Sequence, residues 1–271
     1  MTARPAEPGE RPRGGVVLVD KEPGPSSFGV VRRVRRRFAL KTGHAGTLDP
    51  FASGLLVCLL GPATRLARYL VGLDKRYVTT IRLGLRTTTG DPEGAPLEET
   101  AIPAPREIEA LRGEVELPVP AASAVKVGGE RAYRLHRRGV TVSMPTRRST
   151  VHELRILRLE PPELELALHV SSGTYVRSIA DALGGHCLAL RRTAVGPLSV
   201  DDADEDLLLA PLAALPHLPA RILSDEEARH VRAGRAIAGG GDGPVALVAL
   251  GELLAVGRAH GGTIHPETVL A

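Results

Sequence analysis

Several residue types are scarce in this sequence, and each scarcity narrows what the protein can be. The 271 residues include no tryptophan and only two cysteines, Cys58 and Cys187. Two cysteines without metal-ligand spacing indicate neither a disulfide framework nor a zinc site. No apolar run approaches the roughly 18 residues of a membrane span, and no signal peptide precedes the first predicted strand. We therefore expect a soluble, cytoplasmic protein that binds neither membranes nor metal.

Lysine is also scarce, whereas arginine is abundant. Of the 35 basic residues only four are lysine and 31 are arginine, with a formal net charge of +4 and a pI of about 9.4. Arginine forks suit phosphates and base edges, although a GC-rich genome would also enrich arginine. The hydrophobic content of 43% can bury a core for one large and one small domain.

The N-terminal part divides into a tail, a strand and a helix. Residues 1–13, rich in proline, arginine and glutamate, predict a disordered tail, and residues 15–21 predict a buried strand. Ser26 can cap a helix with Val30, Val31, Val34 and Phe38 on one face and Arg32, Arg33, Arg35, Arg36 and Arg37 on the others. No acid occurs from residue 23 to residue 48. Such a run is commonly a solvated face, but its position before a glycine-rich segment favours phosphate binding.

Residues 43–50, Gly-His-Ala-Gly-Thr-Leu-Asp-Pro, place two glycines, a histidine and an acid beside an apolar run. Glycines permit positive φ and close backbone approach, so one interpretation is a shaped loop that displays His44 and Asp49. The alternative is a helix start, with Asp49 as the N-cap and Pro50 at the first helical position. The spacing alone does not choose between them.

Alternating patterns predict three strands in the middle of the chain. Residues 75–85 alternate so that Tyr77 faces inward, where it could be a core tyrosine with a satisfied hydroxyl. Residues 151–159 and 163–170 alternate around a Glu-Pro-Pro turn and predict a hairpin.

A basic segment spans residues 126–148. It carries one acid, Glu130, and seven basic residues: Lys126, Arg131, Arg134, Arg137, Arg138, Arg147 and Arg148. An exposed basic helix and an RNA-binding segment are the two interpretations, and the charge density favours the second.

The C-terminal part predicts a small separate module. Residues 201–219 begin with an acidic run and are interpreted as a linker. A helix at residues 225–233 and two apolar strands within residues 244–260 then predict a small β module over residues 220–271.

The sequence of residues 43–56, GHAGTLDPFASGLL, is similar to G-H-x-G-x-L-D-P-x-A-x-G-x-L, a signature of the TruB family of tRNA pseudouridine synthases. Further segments resemble motifs of the same family: DKEPGPSS at 20–27 (with Glu22 where proline is usual), DKRY at 74–77, RLGLRTTTGD at 82–91, SAVKVGGERAYRLHRRG at 123–139, SSGTYVRS at 171–178 and LRRTAVG at 190–196. These matches cover about residues 15–199.

The resemblance implies roles for individual residues. Asp49 matches the catalytic aspartate, Tyr77 the tyrosine that stacks on the target base, and Arg177 the arginine that pairs with the aspartate. Two further sets are expected to contact the RNA, namely His44, Lys21, Tyr175 and Leu190 (an apolar wall) around the site, and Arg134, Arg137 and Arg138 in the basic segment.

The resemblance also implies the fold. We expect an α+β pseudouridine synthase domain over residues 14–200, with a central mixed, mainly antiparallel sheet flanked by helices. The module at 220–271 would be a small PUA-like β module.

Pseudouridine formation requires an ionised nucleophile and access to the target base. A uridine loses its N-glycosidic bond and the same uracil rejoins through C5, so no cofactor is needed. An ionised nucleophile is needed, and an aspartate with a reference pKa near 3.9 qualifies. Asp49 would attack either C6 of uracil or C1′ of the ribose. The base must be flipped out, at a cost of roughly a few kcal/mol, and His44 would fill the gap.

By resemblance the substrate is the conserved uridine at position 55 in the T-loop of tRNA. We expect a monomer that acts on the T-arm and does not bind DNA. One alternative is a guide-RNA-directed synthase of a ribonucleoprotein, which the short C-terminus and the basic segment disfavour. Another is a catalytically silent tRNA-binding or tRNA-folding protein, which the intact Asp49, Tyr77 and Arg177 disfavour.

Overall fold

Residues 14–140 and 142–270 are described by the computed structural model, and the predicted tail at residues 1–13 lies outside them. The strands are β1 (Gly15–Lys21), β2 (Thr42–His44), β3 (Ser53–Leu60), β4 (Lys75–Leu83), β5 (Leu85–Thr87), β6 (Pro96–Glu99), β7 (Gly113–Pro118), β8 (Lys126–Val127), β9 (Glu130–Arg131), β10 (Thr146–Glu160), β11 (Glu163–Val170), β12 (Gly185–Val195), β13 (Leu198–Ser199), β14 (Asp204–Leu209), β15 (Ala220–Ile222), β16 (Ile237–Ala238), β17 (Gly243–Ala249), β18 (Glu252–His260) and β19 (Thr263–Val269).

The helices are short, and each one in the described ranges is too short or too polar to span a bilayer. The α-helices are α1 (Ser27–Phe38), α2 (Ala67–Val71), α3 (Pro105–Glu109), α4 (Ala132–Arg137), α5 (Val176–Ala182) and α6 (Asp225–Arg232). Short 3-10 helices lie at Gly61–Leu66, Val200–Asp202 and Pro211–Ala214.

A ten-stranded sheet dominates the fold. Its order is β14-β1-β3-β12-β4-β11-β10-β7, with β2 paired to β3 and β13 paired to β12. All neighbours are antiparallel except β12 and β3, which run parallel where Arg192 lies opposite Gly54. The predicted α+β class, the mixed and mainly antiparallel sheet and the β10–β11 hairpin are confirmed.

Strands β1 and β3 are buried on both faces, which explains their nearly continuous apolar sequences. Val17 and Val19 of β1 belong to a core on one face, whereas Val16 and Leu18 belong to a core on the other. Helices α1 and α5 cover the first face. Residues 61–71 and part of the C-terminal sheet cover the second. Each fully buried valine or leucine contributes about 1.5–3 kcal/mol, so these two cores hold the site's strands rigidly.

Helix α1 forms as its sequence predicts. The Oγ of Ser26 accepts a hydrogen bond from the backbone N of Gly29 at 3.1 Å, which caps the helix. Val30, Val31 and Val34 are buried against the sheet, while the arginines of this helix are exposed. The chain leaves the helix through Ala39, whose φ of 53° ends the helical hydrogen bonding.

The prediction of a linker at residues 201–219 is wrong. Residues 204–209 form β14, an edge strand of the large sheet paired with β1. The acidic side chains are ion partners for α1: Glu205 lies 2.5 Å from Arg33, and Asp206 lies 2.5 Å from Arg37. An acidic run predicts solvation, and here the helix arginines provide opposite charge instead.

The predicted C-terminal β module is confirmed as a five-stranded sheet in the order β15-β17-β18-β19-β16, with α6 packed on it. It also contacts the large sheet's second core. Arg65 donates to the carbonyl of Val269 at 2.6 Å, and the hydroxyl of Tyr69 lies 3.1 Å from that of Thr268. The module is therefore attached by packing as well as by the chain.

Candidate active site

Asp49 lies in the turn between β2 and β3. The backbone N of Ala52 donates to the carbonyl of Asp49 at 3.2 Å, and β3 begins at Ser53. The helix-start alternative is therefore wrong. Pairing decides this, because Gly54 has a φ of 98° and lies so close to the Arg192 backbone that a Cβ would collide with it. The shaped loop is the structure that forms, with Gly46 at a φ of 107°.

Arg177 holds the carboxylate of Asp49. Its Nη2 donates to Oδ1 at 3.1 Å, and its Nε lies 2.9 Å from Oδ2. Arg177 is only 3% exposed, in the first turn of α5, whereas the Asp49 side chain is 32% exposed. The structure thus brings together two residues 128 positions apart and leaves part of the carboxylate open to a ligand.

A second acid, Asp91, shares this guanidinium and was missed in the sequence. Nη1 of Arg177 lies 3.3 Å from Oδ2 of Asp91 and 2.7 Å from the carbonyl of Thr89, while Nη2 donates to Ala122. Asp91 is buried and accepts from the hydroxyl of Thr89 at 2.5 Å. Its signal was its place at the end of the motif-like stretch 82–91. The sequence of this turn alone does not predict that Asp91 contacts the distant, buried Arg177.

The charges around Asp49 act in opposite directions. Burial raises the pKa of the Asp49 carboxyl above its ordinary value, the positive charge of Arg177 opposes this rise, and the negative charge of Asp91 adds to it. Arg177 therefore limits the protonation of a partly desolvated acid. The ionised form is lost on the acid side at a higher pH than for an ordinary aspartate.

The side chain of Lys21, which was predicted to contact the RNA, is directed into the fold. Its side chain is 0% exposed, and Nζ donates to the carbonyls of Glu22, Pro50 and Ala52 at 2.9, 3.1 and 2.5 Å. All three N–H groups are thereby used. Burial lowers the pKa of Lys21 to about 8, and the nearby charge of Asp49 opposes that change. The residue braces the turn that carries Asp49.

Arg192 braces the other side of the same loop and was also missed. It is 1% exposed, and its guanidinium donates to the carbonyls of Leu55, Gly46 and Thr47 at 2.8, 3.0 and 3.4 Å. A guanidinium with five donors can satisfy several main-chain oxygens that no helix or strand satisfies. The signal was its place in the motif-like stretch 190–196, where it follows another arginine, Arg191, in strand β12.

His44 is the last residue of β2 and is half-buried. Burial, and then the charge of Arg192, lower the pKa of its ring below the usual value, so the ring is neutral at pH 7. Its Nδ1 has no hydrogen-bond partner among residues 14–140 and 142–270. A neutral ring suits stacking better than proton donation.

The remaining predicted site residues lie on the neighbouring strands and on α5. Tyr77 of β4 is half-buried and lies opposite Arg192 of β12, and Leu190 lies buried two positions away on β12. Tyr175 is half-buried at the N-cap position of α5, two residues before Arg177. The described part of the chain contains no group of three His, Cys, Asp or Glu side chains arranged to ligate a metal.

The residues just before the basic segment lie beside Arg177. The backbone N of Tyr133 donates a hydrogen bond to the carbonyl of Ser123. The residue before Ser123 is Ala122, whose carbonyl accepts a hydrogen bond from Arg177. Arg134 and Arg137 are exposed, with their guanidinium carbons 6.0 and 5.7 Å from the ring centre of Tyr133. The predicted contact residue Arg138 differs, since its Nη2 pairs with Glu130 at 2.7 Å. Arg134 and Arg137 therefore lack an acidic partner in the described part of the chain, and Nε of Arg134 donates to the hydroxyl of Tyr133 at 3.3 Å.

The large mixed sheet, with Tyr77 on β4 and the Asp49–Arg177 pair beside it, belongs to a pseudouridine synthase, as the comparisons with known proteins show. Solved structures share this fold. One is a Cbf5–Nop10–Gar1 complex, 27% identical with a TM-score of 0.71, covering 96% of this chain and 85% of that chain. Another is an H/ACA ribonucleoprotein bound to a substrate RNA containing 2′-deoxyuridine, 25% identical with a TM-score of 0.70, covering 95% and 85%.

Sequence comparison resolves the family. The N-terminal domain of the TruB family pseudouridylate synthases matches residues 33–176. The chain is 43% identical to tRNA pseudouridine synthase B of Thermobifida fusca, over 95% of this chain and 98% of the relative. It is 42% identical to that of Parasynechococcus marenigrum, over 94% and 97%. The chain therefore belongs to the TruB family of pseudouridylate synthases.

Proposed function

We propose that this protein converts the conserved uridine at position 55 of the tRNA T-loop into pseudouridine. The observation that carries the proposal is a partly exposed Asp49 carboxylate gripped by the buried Arg177. Full-length relatives at 43% and 42% identity, each named tRNA pseudouridine synthase B, support the choice of tRNA. The enzyme acts as a monomer in the cytoplasm, without a guide RNA.

The residues divide the work of the reaction. Asp49 supplies the anionic nucleophile, at C6 of uracil or at C1′ of the ribose, and Arg177 orients it. The ring of Tyr77 provides a flat surface for the uracil, and its hydroxyl helps to remove the C5 proton after the base has rejoined. Leu190 and Tyr175 enclose the base. The bond that Asp49 forms to the substrate breaks again when the base rejoins. Overall the N1–C1′ bond breaks, the C5–C1′ bond forms, C5 loses a proton and N1 gains one, so the reaction balances without a cofactor.

Release of the C5 hydrogen tests this function directly. With tRNA labelled with tritium at C5 of uridine, the protein alone should release label to water, and an isolated T-arm hairpin should also serve as substrate. A hairpin with cytidine at position 55 is the matched control and should release nothing from its remaining uridines. Release that required an added guide RNA would favour the guide-directed alternative. No release with tight binding would favour a silent tRNA-folding protein.

His44 should act by stacking, since its neutral ring lies on the loop that displays Asp49. We expect His44→Ala to slow turnover by about 10- to 100-fold, the loss of one stacking contact of about 1–3 kcal/mol. His44→Phe keeps a flat ring and should recover part of the rate. Single-turnover rates on the T-arm hairpin measure this. If both variants are as inactive as Asp49→Asn, His44 takes part in proton transfer instead.

The basic segment should bind RNA mainly through Arg134 and Arg137. Each lost phosphate contact reduces the slope of log K against log salt by roughly 0.7–0.9, so Arg134→Gln with Arg137→Gln should flatten the slope by about 1.5. Arg138→Gln is the matched control, because Arg138 is already paired with Glu130 and should change the slope less. Binding of a T-arm hairpin to each variant at several salt concentrations measures it. Equal slopes in all proteins would exclude the segment as the RNA contact.

A further inference from the structure

The arginines of α1 fall into two groups that only the structure distinguishes. Arg33 and Arg37 face β14. Two nitrogen atoms of Arg33 donate hydrogen bonds to the carboxylate of Glu205 at 2.5 and 3.1 Å, and Arg37 forms an ion pair with Asp206. These two arginines are neutralised within the fold. The charge that they add to the helix is therefore unavailable to a partner.

The other arginines form an open surface. Arg32, Arg35 and Arg36 are exposed and make no ion pair with any acid of residues 14–140 and 142–270. They line a shallow groove together with Gly29 and Ala39.

An exposed aromatic ring extends the same stripe. Phe28 is 65% exposed, and the guanidinium of Arg32 lies 5.4 Å from its ring centre. Phe28, Arg32 and Arg36 are spaced by four residues, so they lie on one side of the helix over roughly 12 Å. Cations beside an exposed aromatic ring suit a nucleic acid, which offers phosphates and flat bases together.

The stripe lies on the same side of the sheet as the candidate active site. The hydroxyl of Ser27, beside Phe28, makes hydrogen bonds of 2.8 Å with both N and O of Leu48, the residue before Asp49. The buried side of α1 packs into the core that also contains Leu48 and contacts Tyr77. Helix α1 contacts β2 and β3, whereas the basic segment joins β7 to β10 at the far edge. The site therefore lies between two arginine-rich surfaces.

We propose that Phe28, Arg32, Arg35 and Arg36 form a second RNA-binding surface, which contacts the substrate backbone on the side of the site opposite the basic segment. The arginines bind consecutive phosphates and Phe28 stacks on an unpaired base. The proposal rests on the proposed function for the identity of the RNA, which is tRNA.

Binding of tRNA at several salt concentrations tests the surface. Replacing Arg32, Arg35 and Arg36 by Gln should reduce the slope of log K against log salt by about 2. The matched control replaces Arg33, Arg37, Glu205 and Asp206 by Gln or Asn, which removes both ion pairs without a change in net charge, and should leave the slope as in the parent. Phe28→Ala should weaken binding by about 10-fold with the slope unchanged, and Phe28→Leu should not restore it. Circular dichroism melting confirms that each variant is folded.

Three outcomes would overturn the proposal. An unchanged slope in the triple variant would show that these arginines do not meet phosphates. An equal loss in the charge-balanced control would show that the helix, and not this stripe, governs binding. A loss shared by single-stranded DNA of equal length would show a general electrostatic attraction. Tritium release from the parent is measured separately, so a protein that binds tRNA through this surface without turnover would contradict the proposed function alone.

Discussion

Asp49→Asn is expected to abolish pseudouridine formation while tRNA affinity stays within a few-fold of the parent. The amide has the same shape and can still lie beside Arg177, but it carries no negative charge and cannot act as an anionic nucleophile. Because Asp91, the other acid that pairs with Arg177 among the described residues, is buried and cannot replace Asp49, we expect the single-turnover rate to fall by at least roughly 10⁴-fold. Tritium release and filter binding with the same tRNA measure the two quantities.

The interpretation of this variant needs two controls. Asp49→Ala shows whether traces of activity come from slow conversion of asparagine back to aspartate. Glu93→Gln changes a nearby acid whose side chain is exposed. Glu93 contacts Asp91 through its backbone N, which the substitution keeps, so this variant should retain activity. Product above trace levels with pure Asp49→Ala would show that another group starts the reaction.

Arg177→Lys is expected to lose much of the rate and to shift its pH dependence. One ammonium cannot reproduce contacts to both oxygens of Asp49, to Asp91 and to the carbonyls of Thr89 and Ala122. The positive charge opposes the burial that raises the pKa of Asp49. The ionised acid is active above its pKa, so weakening the contact should move the acid limb of kcat/KM to higher pH. Arg177→Gln should move it further.

The size of the effect follows from the burial of the pair. Breaking a buried ion pair costs roughly 3–5 kcal/mol, so Arg177→Gln should also lower the free energy of unfolding by about that amount. Arg177→Lys should reduce kcat by about 10²- to 10³-fold, as for the loss of one preorganised contact. Rates from pH 5 to pH 9 and denaturant titrations separate the two effects.

Arg86→Lys is the matched control for this substitution. Arg86 of β5 forms a comparable pair of contacts, with Nε and Nη2 at 2.7 and 2.6 Å from the two carboxylate oxygens of Asp181. Asp181 lies on the same helix as Arg177, but this ion pair does not include Asp49. Arg86→Lys should leave the acid limb where the parent has it. An unchanged kcat and acid limb in Arg177→Lys would show that Arg177 only stabilises the fold.

Local sequence patterns predicted most elements correctly. The apolar run of β1, the alternation of β10 and β11 and the cap at Ser26 each depend on neighbouring residues, and each forms as expected. The motif matches also selected Asp49 and Arg177, which the structure brings into contact. Residues 201–219 were misjudged because β14 exists only through its pairing with β1.

The burial and the partners of the charged residues could not be predicted from the neighbouring sequence. A lysine or arginine in a sequence predicts exposure, yet Lys21 and Arg192 are fully buried as braces of the Asp49 loop. Asp91 is likewise a buried partner of Arg177.

By itself the sequence determined most of the strands and helices, the family signature and the proposed nucleophile, because these depend on residue order and local spacing. The tertiary structure alone decided which cations brace the loop, which arginines of α1 stay free and how far Asp49 is desolvated. The partners of Lys21, Arg177 and Arg192 lie up to 31, 128 and 146 residues away. A charge is buried only where such distant atoms supply its hydrogen bonds, and those atoms meet only in the folded chain.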